Sequence, residues 1–356
     1  MAGSAFVRLL LVLLLAAGGV SWWQWQGYQR FADAPMAGVR QDDSLVVVRG
    51  DSLDKVLGKL REQGVETGER LQWQLLARQT GAAGRLQVGE YALSEHDSPR
   101  ALLLAMRDGK VVRRMFTIVE GWNIRDLRAA LKKAPMLEQD TADLDDAALM
   151  KALGHEGQHP EGRFLPETYA WVRGDSDLDI LRRAHAAMTR ALDAAWASRA
   201  EGLPLKNKDE ALALASIVEK ETGIAEERPQ IAGVFVRRLK IGMRLQTDPT
   251  VIYGMGAAYT GNIRRSDLTT DTPYNTYTRA GLTPTPIAMP GKDALQAATH
   301  PAAGDALYFV AVGDGSGRHV FSRNLGEHNA AVGDYLQRYR AQRQAERAQA
   351  GQATTQ

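Results

Sequence analysis

The sequence predicts an α+β protein: an N-terminal membrane helix, a small strand-helix-helix-strand (βααβ) module, then a larger mixed α+β domain. Three observations predict it. Leu9 to Trp23 is a run of 15 residues without a charge. Between Leu45 and Leu93 the apolar period changes from strand to helix and back to strand. Beyond residue 120 helical spacing dominates, until a long irregular segment and two short strands close the domain.

The composition sets the bounds. A chain of 356 residues suffices for two modest domains, and 44% hydrophobic with 24% charged content is ordinary for a globular protein. Forty-four bases against 42 acids leave a net charge of +2. No basic stripe marks a nucleic-acid partner. The absence of cysteine excludes disulfides, thiolate metal sites and a cysteine nucleophile.

The first element is the apolar run "LLLVLLLAAGGV" followed by Trp22, Trp23 and Trp25. Its length is at the top of the range for a signal-peptide core and short of the ~20 residues of a spanning helix. Ala5 to Val7 extend it if Arg8 snorkels toward the inner face. The tryptophans suit a membrane–water interface, which favours an uncleaved anchor over 1–28. Ala16-Ala17-Gly18 would serve a cleaved signal, and a buried core helix is the third reading. Either export reading puts the remaining chain outside the cytoplasm. Residues 29–44 lack periodicity and read as a linker.

The module follows at 45–112 with an adjoining helix. Leu45–Arg49 is strand-like, Asp51 or Ser52 is the N-cap candidate, and Leu53, Val56, Leu57 and Leu60 fall at helical spacing. A second helix carries Leu71, Leu75 and Leu76, and "RLQVGEYAL" returns as a strand. "SPRALLLAMRDG" is a helix with Pro99 near its first position. The larger domain spans 113–340. It opens with a strand in "KVVRRMFTIVEG", then a helix in "EGWNIRDLRAALKKAP", an acidic loop at 140–146, and a stretch rich in Gly, Pro and aromatics. Helices are expected at roughly 177–201 and 210–222, and "RPQIAGVFVRRLKIG" carries Ile231, Val234, Phe235 and Leu239 on one helical face. Residues 242–290 form a long irregular segment dense in Thr, Tyr, Asn, Pro and Gly, a kind that is often functional. "ALYFVAV" and "RHVFS" flank "GDGSG" as a hairpin, and 341–356 is a polar tail expected to fray.

Two features invite a chemical reading. "HEGQH", His155 to His159, fits the H-E-x-x-H zinc pattern, which needs a helix so that both imidazoles face one metal. Gly154, Gly157 and Pro160 oppose a helix there, so no metal or other cofactor is assigned. The second is Glu219. On a helix of 100° per residue, Ala211 to Val218 cover nearly the whole circumference, as in a buried helix. Glu219 projects within about 20° of Leu212, beside Ala215 and Ser216, and Glu221 about 200° away. The two acids cannot share a substrate. A carboxyl in apolar surroundings keeps its proton to higher pH and can serve as a general acid. The plainer reading, a glutamate at a frayed helix end stopped by Gly223, stays open on periodicity alone.

"ALASIVEKETG", then "RLQTDPTVIYGMG", "YNTY" and the Ala297–Pro301 run, together with "PEGRFLPETY" and "HNAAVGDYL", resemble the YceG-like family of endolytic murein transglycosylases. "VVVRGDSLDKVLGKL" resembles the LysM module, a βααβ unit that binds N-acetylglucosamine-containing glycans. The resemblance covers nearly everything after the anchor. It implies a periplasmic catalytic domain held at the inner membrane by one helix, peptidoglycan glycan strands as substrate, and work beside peptidoglycan synthases. The implied reaction cuts the β-1,4 bond between N-acetylmuramic acid and N-acetylglucosamine without water and leaves a 1,6-anhydro end. It assigns the acid to the first glutamate of "IVEKET", Glu219. At Arg163 and Glu167 the chain departs from the family pattern.

One acid suffices for that chemistry. Ordinary glycosidases flank the bond with two carboxyls, whereas a nucleophile tethered in the substrate supplies its own effective concentration. Gln246, Thr247, Asp248, Asn275 and Tyr277 are expected to line the glycan cleft, with Glu161 entering from the earlier loop; amides, hydroxyls and aromatic faces suit sugars. The competing readings are turn residues without a ligand, a non-catalytic wall-binding scaffold using the LysM-like module, and a muramidase that uses water.

Overall fold

The computed structural model describes residues 2–40 and 42–353, and side chains at 6–40 and 42–344. The chain divides into two compact units, Met1–Arg114 with Ala170–Asp175, and Met115–Tyr169 with Ser176–Gln356.

The first unit begins with α1 (Ala2–Asp33), of which Phe6–Asp33 is long and apolar enough to cross a membrane. Leu9 to Leu15, Trp22 and Trp23 are exposed. The last turns differ: Tyr28, Phe31 and Ala32 are buried, and Phe31 meets Trp73 edge-on at 5.6 Å. Residues 29–33, read as linker, are therefore helical. Tyr28 and Phe31 stand at helical spacing and give this stretch an apolar face of its own.

Strand β1 (Ser44–Val47) leads through α2 (Leu53–Glu62) and α3 (Arg70–Gln79) to β2 (Gly89–Ala92). The strands pair antiparallel, Leu45 opposite Tyr91 and Val47 opposite Gly89. Ser52 is the N-cap of α2 and accepts from the Lys55 N–H. Asp51 instead accepts from the Val48 N–H and the Lys59 ammonium. On α3 the buried face is Trp73, Leu76 and Ala77; Leu71 and Leu75 are exposed. Trp73 wins the core position because its indole N–H also reaches the Thr67 carbonyl at 2.8 Å. Helix α4 (Pro99–Asp108) ends at Gly109, whose φ of 65° is the left-handed conformation that glycine adopts without strain. Leu102, Leu103 and Met106 add to this core.

The second unit takes in most of β3 (Arg114–Thr117), then α5 (Ile124–Lys132), α6 (Asp146–Ala152) and the first two residues of β4 (Thr168–Trp171), the strand that pairs with β3. Its centre is helical: α7 (Asp177–Ala197), α8 (Lys208–Glu221) and α9 (Arg228–Lys240). The short α10 (Asp248–Met255) and α11 (Arg265–Thr269) punctuate the irregular segment, and α12 (Lys292–Thr299) follows it. The hairpin β5 (Tyr308–Ala311) and β6 (His319–Ser322) has Tyr308 opposite Ser322. Helix α13 (Leu325–Ala353) runs through most of the segment read as a polar tail; 354–356 lie outside the described residues.

Helix α8 is the axle of this unit. Every residue from Ala211 to Val218 is buried, and α7, α9, α10 and α12 pack around it. Small side chains let those helices approach from all sides. Ser216 is satisfied within the core, donating to the Ala213 carbonyl and accepting from the Ile287 N–H.

Candidate active site

The last turn of α8 turns two acids toward different neighbours. Glu219 meets α9, the segment before α5, and the start of α12. Glu221 meets the segment that opens α10. The opposition follows from 100° per residue, which separates positions 219 and 221 by about 200°.

The Glu219 side chain is 5% exposed. Its Oε2 accepts from the Gly291 N–H at 2.9 Å, and its Oε1 stands 3.4 Å from Arg228 Nη2. Burial pushes its pKa above the usual carboxyl value. The Gly291 bond and Arg228 pull it down, while Glu120 and Asp293 push it up. Glu219 is thus withdrawn from bulk water inside a set of three acids around one guanidinium: Arg228 also reaches Glu120 and Asp293, each at 3.5 Å. A carboxyl so placed can hold a proton at higher pH than a free one and give it to a leaving oxygen.

Glu120, Arg228 and Asp293 escape a reading of the sequence alone. Glu120 precedes Gly121 in an ordinary strand end, and Arg228 looks like the polar start of an amphipathic helix. Only folding brings together positions separated by 72 residues, as Glu219 and Gly291 are.

Glu221 lies in a pocket of about 490 Å³ lined by Arg238, Gln246, Thr247, Asp248, Tyr277, Tyr308 and His328 among others. Burial pushes Glu221 up to about 7. Thr247 donates its hydroxyl to Glu221 Oε1, and the Tyr277 hydroxyl donates to Asp248 at 2.6 Å. Gln246 is exposed, with φ of 49°, a strained angle for a residue with a Cβ.

The expected cleft residues therefore separate. Gln246, Thr247, Asp248 and Tyr277 gather in one pocket, on the Glu221 side of α8. Thr247 is buried and bonded to Glu221. Asn275 is buried; its amide donates to the carbonyls of Asp267, Leu268 and Thr270, and its oxygen accepts from the Tyr277 N–H. Those bonds tie a loop and leave no free polar edge for a sugar. Glu161 corrects its expectation most strongly: it is 0% exposed, both oxygens accept from the Ile124 N–H, and Oε2 also accepts from the Tyr253 hydroxyl. It serves the N-terminus of α5, where free N–H groups favour a carboxyl.

His155 to His159 contains no helix, so its imidazoles lack the i, i+4 geometry. His155 stacks on His185 at 3.8 Å instead. Among the described residues no group of three or more His, Asp or Glu side chains could hold a metal ion. Of the two departures noted above, Arg163 pairs with Asp209 at 2.6 Å and Glu167 with Lys292 at 2.7 Å.

The model of the YceG-like family matches residues 45–334, most of the chain. The chain belongs to the YceG-like family. A relative from Bacillus subtilis (strain 168), named endolytic murein transglycosylase, is 32% identical over 307 residues, covering 81% of this chain and 83% of that protein. A Streptococcus pneumoniae serotype 2 protein of the same name is 31% identical over 184 residues. That match covers 49% of this chain and 32% of the relative, so the chain spans about a third of it. A yceG-like protein of known structure from Listeria monocytogenes is 26% identical with a TM-score of 0.48, over 82% of this chain and 99% of that one.

Proposed function

We propose that this member of the YceG-like family is an endolytic murein transglycosylase, anchored by the apolar part of α1 with the chain that follows it on the periplasmic side of the inner membrane. Its substrate would be the glycan strand of peptidoglycan, cut between N-acetylmuramic acid and N-acetylglucosamine. The names of the family relatives support the activity. The observation that carries the mechanism is Glu219, 5% exposed, its pKa raised by burial, at the edge of a polar cluster.

Glu219 gives its proton to the bridging oxygen as the C1–O bond of the muramyl residue breaks. The muramyl 6-hydroxyl then attacks C1, and its proton returns to Glu219. Atoms balance without water, and the product ends in a 1,6-anhydro ring. The Gly291 N–H holds the carboxyl in place through both proton transfers. Gln246, Asp248 and Tyr277 are proposed to contact sugars farther along the strand, and Thr247, Asn275 and Glu161 to hold the loops that present them. The first unit is proposed as the LysM-like glycan-binding part.

A second reading is favoured by one observation: Glu221, not Glu219, opens on the 490 Å³ pocket and is pushed up to about 7. There Glu221 would be the acid. Mass spectrometry of fragments released from purified peptidoglycan tests the activity itself. Fragments one water lighter than hydrolytic products support the proposal; hydrolytic ends would mean a muramidase, and binding without release a scaffold.

A further inference from the structure

Two independent contacts bring a second carboxyl beside Glu219. The backbones of Gly121 and Met289 and of Met289 and Trp122 bond at 3.0 and 2.6 Å, which sets the segment after β3 against the entry to α12. Glu120 consequently covers Gly291: a methyl built on Gly291 would stand 2.7 Å from the Glu120 Cδ. The same Gly291 donates its N–H to Glu219. The second contact is Arg228 Nη2, 3.5 Å from Glu120 Oε2 and 3.4 Å from Glu219 Oε1. Those oxygens are therefore at most about 7 Å apart, within the span over which glycosidases place two carboxyls across a sugar bond.

The two acids differ in access. Glu219 is 5% exposed and Glu120 is 49% exposed. Arg228 is 9% exposed, its Nε buried without a partner, and it faces Asp293 as well. Lys220 donates to the Gly121 carbonyl, and Lys292 is paired with Glu167. One guanidinium thus faces three acids, leaving an excess of negative charge where a sugar ring would carry positive charge as its C1–O bond breaks.

We propose that Glu120 is a second active-site carboxylate, facing the anomeric carbon and stabilising the oxocarbenium charge, with Arg228 and Gly291 fixing its distance from Glu219. This rests on the reading of Glu219 as the acid. Glu120 takes no proton, so the proton balance stays with Glu219.

The test uses the full chain in detergent and purified peptidoglycan, with kcat and KM measured for each variant. Glu120→Gln should lower kcat about 100-fold with KM nearly unchanged, the size of effect seen when one electrostatic stabiliser is removed. Glu120→Asp should fall between. Gly291→Ala keeps the N–H to Glu219 but displaces the Glu120 carboxyl, a flexible side-chain end, and should lose a similar factor; in Glu120→Ala the same change should cost nothing more. A Glu120→Gln kcat within about threefold of wild type, or a rise in KM alone, overturns the inference. Full activity in Glu219→Gln sinks the underlying reading as well. Loss in Glu219→Gln with full activity in Glu120→Gln removes the second carboxylate alone.

Discussion

Glu161 should make the stability of its unit fall as pH rises. It is wholly buried, and burial pushes its pKa from 4.5 to about 7 despite bonds from Ile124 and Tyr253. The folded state therefore keeps a proton over a range in which the unfolded chain releases it. A raised carboxyl pKa favours folding fully below about pH 4.5, and that contribution is lost as pH climbs through about 7. The shift corresponds to about 3 kcal/mol. Glu161→Gln removes the titration and keeps the size. Urea unfolding of both proteins at pH 4.5 and 8 measures the gap between them, which should move by about 3 kcal/mol in favour of the variant at the higher pH. His185 works the other way: burial lowers it to about 4, so its contribution is lost as pH falls below about 6.5. It is common to both proteins and cancels in the difference. A gap independent of pH would refute the assignment of Glu161 as a buried, proton-holding cap.

Asn275→Ala should cost about 1–3 kcal/mol in the same assay, since it frees three carbonyls and the Tyr277 N–H, and it should loosen protease resistance around 265–279. Chelators should leave glycan cleavage unchanged; inactivation reversed by zinc would return His155, Glu156 and His159 to the chemistry.

Much of the fold was legible because its signals are local. The all-apolar run on α8 fixes burial, strand and helix periods in 45–92 give the βααβ order, and "GDGSG" between β-rich runs gives the hairpin. What failed was decided by distant partners. The face of α3 went to Trp73 because Thr67 accepts its indole, and residues 29–33 stayed helical because Phe31 found Trp73. Helix α6 was hidden by its own acidic cap, Asp145, which reads as loop until its side chain is seen accepting from Ala148. In the site, the opposition of Glu219 and Glu221 is a property of one helix and was readable. The guanidinium of Arg228, the N–H of Gly291 and the carboxyl of Glu120 come from three other segments. Glu161 misled for the same reason: the N–H it serves lies 37 residues earlier.

The most direct measurement is the rate of anhydro-end formation by Glu219→Gln and Glu221→Gln, each shown to fold by its unfolding midpoint. We expect the first to be inactive and the second to retain most of the wild-type rate. Retained activity in Glu219→Gln with loss in Glu221→Gln would move the acid to the opposite face of α8 and contradict the account.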